Sequence, residues 1–187
     1  SKEDIMATAK DLRLRHWQLQ KDAGLDHIPS HDFALYDHVL NMTCTLGLIP
    51  KRYKWDGESV TNDVMFAMAR GAQKSCCGTS ESKGDVDVVA MEMTKWFDTN
   101  YHYLVPEFEE GMTPKLACDH IFRVFEEAKE AGITTRPVLV GPATYIFLGK
   151  ARYDGFDHIA FVKSLLPVYN EILAGLAERG CEWVQID

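Results

Sequence analysis

No run of eighteen apolar residues occurs in this 187-residue chain, so no membrane-spanning helix is expected. There is no charged–apolar–small leader at its start, and no secretion signal is read. No CxxC, HExxH, GxGxxG or GxxxxGK[ST] motif appears. These absences speak against a zinc ribbon, a thioredoxin-like site, a zincin, a dinucleotide-binding turn and a Walker loop. Cysteine is scarce and odd in number: Cys44, Cys76, Cys77, Cys118 and Cys181. That argues against a disulfide framework and for a reducing, cytoplasmic setting. Positive charge is also short, with 20 Lys+Arg against 28 Asp+Glu for a net −8. A general nucleic-acid binder or a peripheral membrane protein is not expected. A few local cations could still hold a small anionic substrate.

What is present is ordinary globular composition, 46% hydrophobic and 26% charged, consistent with one domain. Three stretches share one design. Lys21-Asp-Ala-Gly24 precedes Leu25-Asp-His-Ile28. Lys129-Glu-Ala-Gly132 precedes, after three residues, Arg136-Pro-Val-Leu-Val140. Glu178-Arg-Gly180 precedes Cys181-Glu-Trp-Val-Gln-Ile186. Each reads as a helix, a glycine able to take the left-handed cap, and a short buried strand. Helices alternating with such strands imply parallel βα units. Strands are expected near Leu25–Ile28, Pro137–Val140 and Glu182–Ile186, all parallel, with Met91–Tyr103 supplying another strand and its loop. About four strands are too few for a closed eight-stranded barrel. The architecture expected is an α/β, TIM-type (βα)8 half barrel, incomplete at both ends; a doubly wound open sheet is the alternative.

Helices are read from the 3.6-residue period. The first carries Ile5, Ala9, Leu12, His16, Leu19 and Ala23 on one face. Others are expected over Phe33–Leu46 with Asp32 as N-cap, Thr61–Ala72, His120–Ala131 with Asp119 as N-cap, and Ile159–Arg179, which Pro167 should kink or divide. The chain opens without methionine inside a helical pattern and Asp187 follows an apolar run, so a longer parent protein is expected.

Four constellations could carry chemistry. Ser30-His31-Asp32 stands at a strand end before a helix, where free N–H groups attract anions; as a simple helix cap it needs no other role. Glu92-Met-Thr-Lys95-Trp96-Phe97-Asp98-Thr-Asn100-Tyr101-His102-Tyr103 sets a lysine among aromatics. Aromatic faces can stack a planar ring, and lysine can pair with a carboxylate as a point charge; the segment could equally be a partly buried strand. His31 and His38 share a helix face at most and do not make a metal set. Arg136, Gly141-Pro142-Ala-Thr144 and Lys150 break a strand and bring backbone near whatever lies above it, or form a structural turn.

Five segments carry a resemblance: Arg15–Lys21, Asp32–Val39, Met91–Tyr103, Arg136–Pro142 and Glu182–Asp187. In order and content they resemble the N-terminal half of cobalamin-independent methionine synthases. The resemblance implies two facing (βα)8 barrels, of which residues 1–187 would form part of the first, and a catalytic C-terminal barrel outside this chain. It implies zinc in the parent enzyme, with its ligands in that second barrel, and no cobalamin. It implies 5-methyltetrahydropteroyl-polyglutamate and homocysteine as substrates, homocysteine reaching only the second barrel. It assigns no catalytic or metal residue here and one substrate-binding residue, Lys95, toward the glutamate tail of the folate. The Cys76–Cys77 loop departs from the family pattern and takes no role. A stand-alone binding module for folate or for a partner barrel is the alternative.

Overall fold

The computed structural model describes residues 2–72 and 87–187; the Cys76–Cys77 loop lies outside them. Helix α1 (Lys2–Asp22) leads to strand β1 (Ile28–Ser30). Helix α2 (His38–Thr45), a 3-10 turn (Lys51–Tyr53) and α3 (Asn62–Arg70) follow. Strands β2 (Met93–Lys95), β3 (His102–Leu104) and β4 (Glu107–Phe108) precede α4 (His120–Glu130) and β5 (Thr135–Leu139). Helix α5 (Pro142–Leu148), β6 (Lys150–Ala151), α6 (His158–Glu178) and β7 (Gln185–Ile186) complete the order. The fold is mixed α/β with parallel strands.

The three repeated units form as read. Gly24, Gly132 and Gly180 have φ of 79°, 68° and 82°. Each helix end closes with paired bonds, as where Gly132 N–H donates to Lys129 O and Ile133 N–H to Ala128 O. That double bond is the glycine-terminated cap, which a side chain with a Cβ adopts only under strain. Each cap turns the chain into one strand of a single sheet of order β1-β5-β7. Ile28 pairs with Thr135, and Val138 with Gln185, all parallel. A second parallel pair joins β4 to β6. No closed barrel forms among the described residues.

Five expectations are corrected. Helix α1 buries Ala9, Arg13 and Trp17, while Ile5, Leu12 and Leu19 stay exposed. The apolar count pointed to the wrong face, because Arg13 is paired on the inside: its guanidinium meets Glu127 of α4 at 3.0 and 2.7 Å. Helix α2 starts at His38 with Asp37 as N-cap, not at Phe33 with Asp32; the Asp37 side chain accepts from Leu40 N–H at 2.7 Å. His31, at φ 63°, turns the chain after β1 and delays the helix. Pro167 does not divide α6, which runs unbroken, because Pro167 lies on its exposed side and a missing N–H there leaves the freed carbonyl to water. Gly141-Pro142 is no mere turn: it opens α5, with proline at the first position, where its lost N–H has no partner anyway. Met91–Tyr103 does not join the parallel sheet but folds on itself, Met93 pairing antiparallel with Leu104.

The main core gathers Val39, Phe108, Ile121, Leu139, Tyr145 and Leu165 among others. A separate cluster of Trp17, Ile28, Val124, Ala128 and Ile133 welds α1 and α4 to the sheet. By length and hydropathy α6 could cross a membrane, yet it buries Leu165, Val168, Tyr169, Ile172 and Leu176 in the main core.

Candidate functional site

In parallel α/β folds, ligands gather where the strands end. Here those ends are Ser30–His31 after β1, Gly141 after β5 and Asp187 after β7. The β2–β3 hairpin stands beside them, fixed by three anchors. The other carboxylate oxygen of Asp37 accepts Leu104 N–H at 3.1 Å. The Tyr101 hydroxyl sits 3.1 Å from His38 N and 3.0 Å from His38 Nδ1. The Tyr103 hydroxyl donates to Leu148 O at 3.1 Å. Helices α2 and α5, which themselves follow β1 and β5, therefore carry the hairpin.

Burial pushes the Asp37 carboxyl up to about 6, against the pull of its backbone donors at Leu40, Leu104 and Val39. Burial lowers the His38 imidazole, and the negative charge of Asp187 opposes this. His38 thus stands in the field of Asp187, which links the α2 N-terminus to the end of β7. It also packs against the Trp96 ring, edge to face, at 4.7 Å.

Lys95 ends β2 opposite His102. It is exposed, and among the described residues it makes no hydrogen bond or ion pair. The neighbouring cations are engaged. Lys150 pairs with Glu92 at 2.5 Å. Arg52 and Arg152 meet Glu107 at 2.6 and 3.2 Å. Burial acts to raise the Glu107 carboxyl, but these two guanidinium groups outweigh it and hold it below the usual range. Lys95 is therefore an exposed cation at the end of β2, on a hairpin anchored to α2 and α5. The six-residue loop after it is closed by Trp96 N–H to Tyr101 O at 2.7 Å and by the Thr99 hydroxyl to Trp96 O at 2.6 Å. Asp98 and Asn100 are exposed on that loop, and the His102 ring is turned onto Asn100 O at 2.9 Å.

The other constellations take structural places. Ser30 and His31 are buried; His31 Nδ1 lies 3.0 Å from Val138 O, so that nitrogen carries the proton. Desolvation lowers the His31 imidazole and drives His120, with its ring 5.4 Å away, down to about 3. The buried His31 ring and the half-buried His120 ring lie side by side, both held toward the neutral form, and no triad forms. Gly141 is needed for a close approach, but by the chain itself: a Cβ there would lie 2.8 Å from Asp187 O. His31 and His38 do not share a helix, since α2 begins at His38. Among the described residues no three His, Cys, Asp or Glu side chains gather to hold a metal ion.

Sequence reasoning missed Asp37 and the Tyr101–His38 pair. Asp37 was findable: it stands just before the apolar pair Val39-Leu40, where an N-cap belongs. The Tyr101–His38 contact joins residues 63 positions apart and leaves no local trace.

The fold is mixed α/β with a parallel sheet, and an aromatic antiparallel hairpin packs on two of its helices. All 187 residues match the family described as "Cobalamin-independent synthase, N-terminal domain", and the chain belongs to that family. It is 52% identical over 188 residues to the 5-methyltetrahydropteroyltriglutamate–homocysteine methyltransferase of Chelativorans sp. (strain BNC1), covering 100% of this chain and 24% of that protein. The proteins of the same name from Nitrosomonas europaea and Salinibacter ruber are 48% and 46% identical; 99% and 100% of this chain is covered, with 23% and 24% of theirs. The chain thus spans about a quarter of the length of these relatives.

Proposed function

We propose that this chain is the folate-tail-binding part of a cytoplasmic enzyme that moves a methyl group from 5-methyltetrahydropteroyl-polyglutamate to homocysteine. The observation that carries the reading is Lys95, an exposed cation that makes no hydrogen bond or ion pair among the described residues, on the anchored hairpin of a chain with net charge −8. On a negative protein an anionic tail needs such a local exception, and every added glutamate brings another carboxylate for it. The parallel sheet β1-β5-β7 is read as one arc of a (βα)8 barrel, with residues 1–187 forming part of that barrel.

The chain's share of the reaction is binding and orientation. Lys95 holds the tail, and the Asp37 and Tyr101 anchors keep Lys95 still. A tail held at one end lowers the entropy lost in bringing the methyl-bearing end to its acceptor. Zinc, which the family resemblance implies for the parent enzyme, finds no set of three ligands among the described residues, and homocysteine is assigned no contact in this part. Neither nucleic acid nor membrane enters this reading.

In the full-length protein, Lys95→Ala should raise KM for the folate, more for a triglutamate than for a monoglutamate tail. A charge-assisted contact is worth about 1.5–3 kcal/mol, so the ceiling is roughly tenfold to hundredfold. Because the tail does not react, kcat should change less. Equal effects on both tail lengths would overturn the role given to Lys95.

A further inference from the structure

Phe147, on α5, is 74% exposed, and Phe97, in the hairpin loop, is 57% exposed. Large aromatic rings contribute most when covered, so two of them uncovered together mark a binding surface. Their rings are nearly parallel, 15° apart, with centroids at 6.4 Å. That is toward the far end of the range for aromatic pairs, so each face retains area for a third ring.

Phe97 is also held in place against its own preference. Its φ is 49°, the left-handed region that bulky residues avoid, and such outliers persist where the surroundings impose them. The imposing contacts are the loop bonds of Trp96 and Thr99 given above, with the Trp96 ring standing edge-on to Phe97 at 5.2 Å and 85°. Phe147 comes from the helix that follows β5, near its C-terminal end, so the pair bridges the hairpin loop and that helix. Lys95 lies two residues before Phe97, at most about 7 Å away along the chain.

The juxtaposition selects a ligand that is flat and aromatic at one point and carboxylated a few bonds further on. We propose that Phe97 and Phe147 form a stacking subsite for the aminobenzoyl ring of the pteroyl-polyglutamate, the ring bonded directly to the first glutamate. The assignment rests on the reading of Lys95 as the tail-binding cation.

Calorimetric titration of the full-length protein tests it with two ligands, p-aminobenzoyl-triglutamate and acetylated triglutamate, which keeps the tail and lacks the ring. The wild-type protein should bind the ring-bearing ligand roughly three- to tenfold more tightly, the size of one aromatic contact. Phe147→Ala and Phe97→Ala should remove that difference, Phe147→Trp should restore it, and melting temperature should hold for Phe147→Ala. Equal binding of the two ligands by the wild type would overturn the subsite. So would alanine variants that keep the preference, or a Phe147→Ala variant that loses melting temperature while keeping it, the mark of a pair packed on another part of the protein. Lys95→Ala separates the two readings. If it leaves both affinities unchanged while Phe147→Ala removes the ring preference, the tail assignment fails and the aromatic subsite stands.

Discussion

The Asp37 carboxylate bonds Leu40 N–H with one oxygen and Leu104 N–H, 67 residues away, with the other, at 2.7 and 3.1 Å. One residue thus starts α2 and pins the hairpin that carries Lys95. Asp37→Ala strips both donors of their buried partner and should destabilise the full-length protein by about 2–4 kcal/mol at pH 5. The Asp37 carboxyl titrates at about 6, raised from 3.8 by burial. A raised native value means that its stabilising contribution is complete below pH 3.8 and is lost as pH rises through 6. The gap in melting temperature between wild type and Asp37→Ala should therefore narrow from pH 5 to pH 8. A gap that widens would refute the assignment.

Lys95→Ala should leave the melting temperature almost unchanged, within about 0.5 kcal/mol, since exposed side chains without partners contribute little to stability. The alternative, a salt bridge from Lys95 that anchors the loop, would show as a lowered melting temperature. The kinetic penalty of the substitution should also shrink as salt is added, because an exposed ion pair is screened.

The Arg13–Glu127 pair is 7% and 15% exposed at its side chains. Glu127→Gln leaves a guanidinium without its counter-charge and should destabilise by about 3 kcal/mol. Replacing both residues by apolar ones of similar volume should recover most of that loss. Thermal unfolding of the single and double variants checks the order, and a double variant no better than the single would contradict it.

Gly149→Ala would place a Cβ 2.4 Å from the Phe108 ring. That ring is buried and stacked on Phe156 at 5.2 Å and 2°, so it cannot swing aside. Overpacking of this kind is destabilising by about 1–3 kcal/mol or more. Gly155→Ala is the control: no atom lies within 4 Å, and only its φ of +80° is strained. Its loss should be about 1–2 kcal/mol, and denaturant melts of the two variants should rank Gly149→Ala as the worse.

The three helix–glycine–strand units and the parallel sheet they build were legible in the chain. Those follow from local rules. A glycine cap and a 3.6-residue period act within a few residues, and α3 lies within the expected Thr61–Ala72. Long-range packing set the remainder. The buried face of α1 depends on Glu127, 114 residues from Arg13, so a charged residue is inside and Ile5, Leu12 and Leu19 are outside. Met91–Tyr103 reads as a further strand and its loop, but the segment pairs with itself, Trp96 N–H finding its acceptor at Tyr101 rather than on a neighbouring parallel strand. The facing of Phe97 and Phe147 joins elements 50 residues apart. Such contacts are set by which surfaces meet once the helices pack, and no local pattern in the chain encodes that meeting.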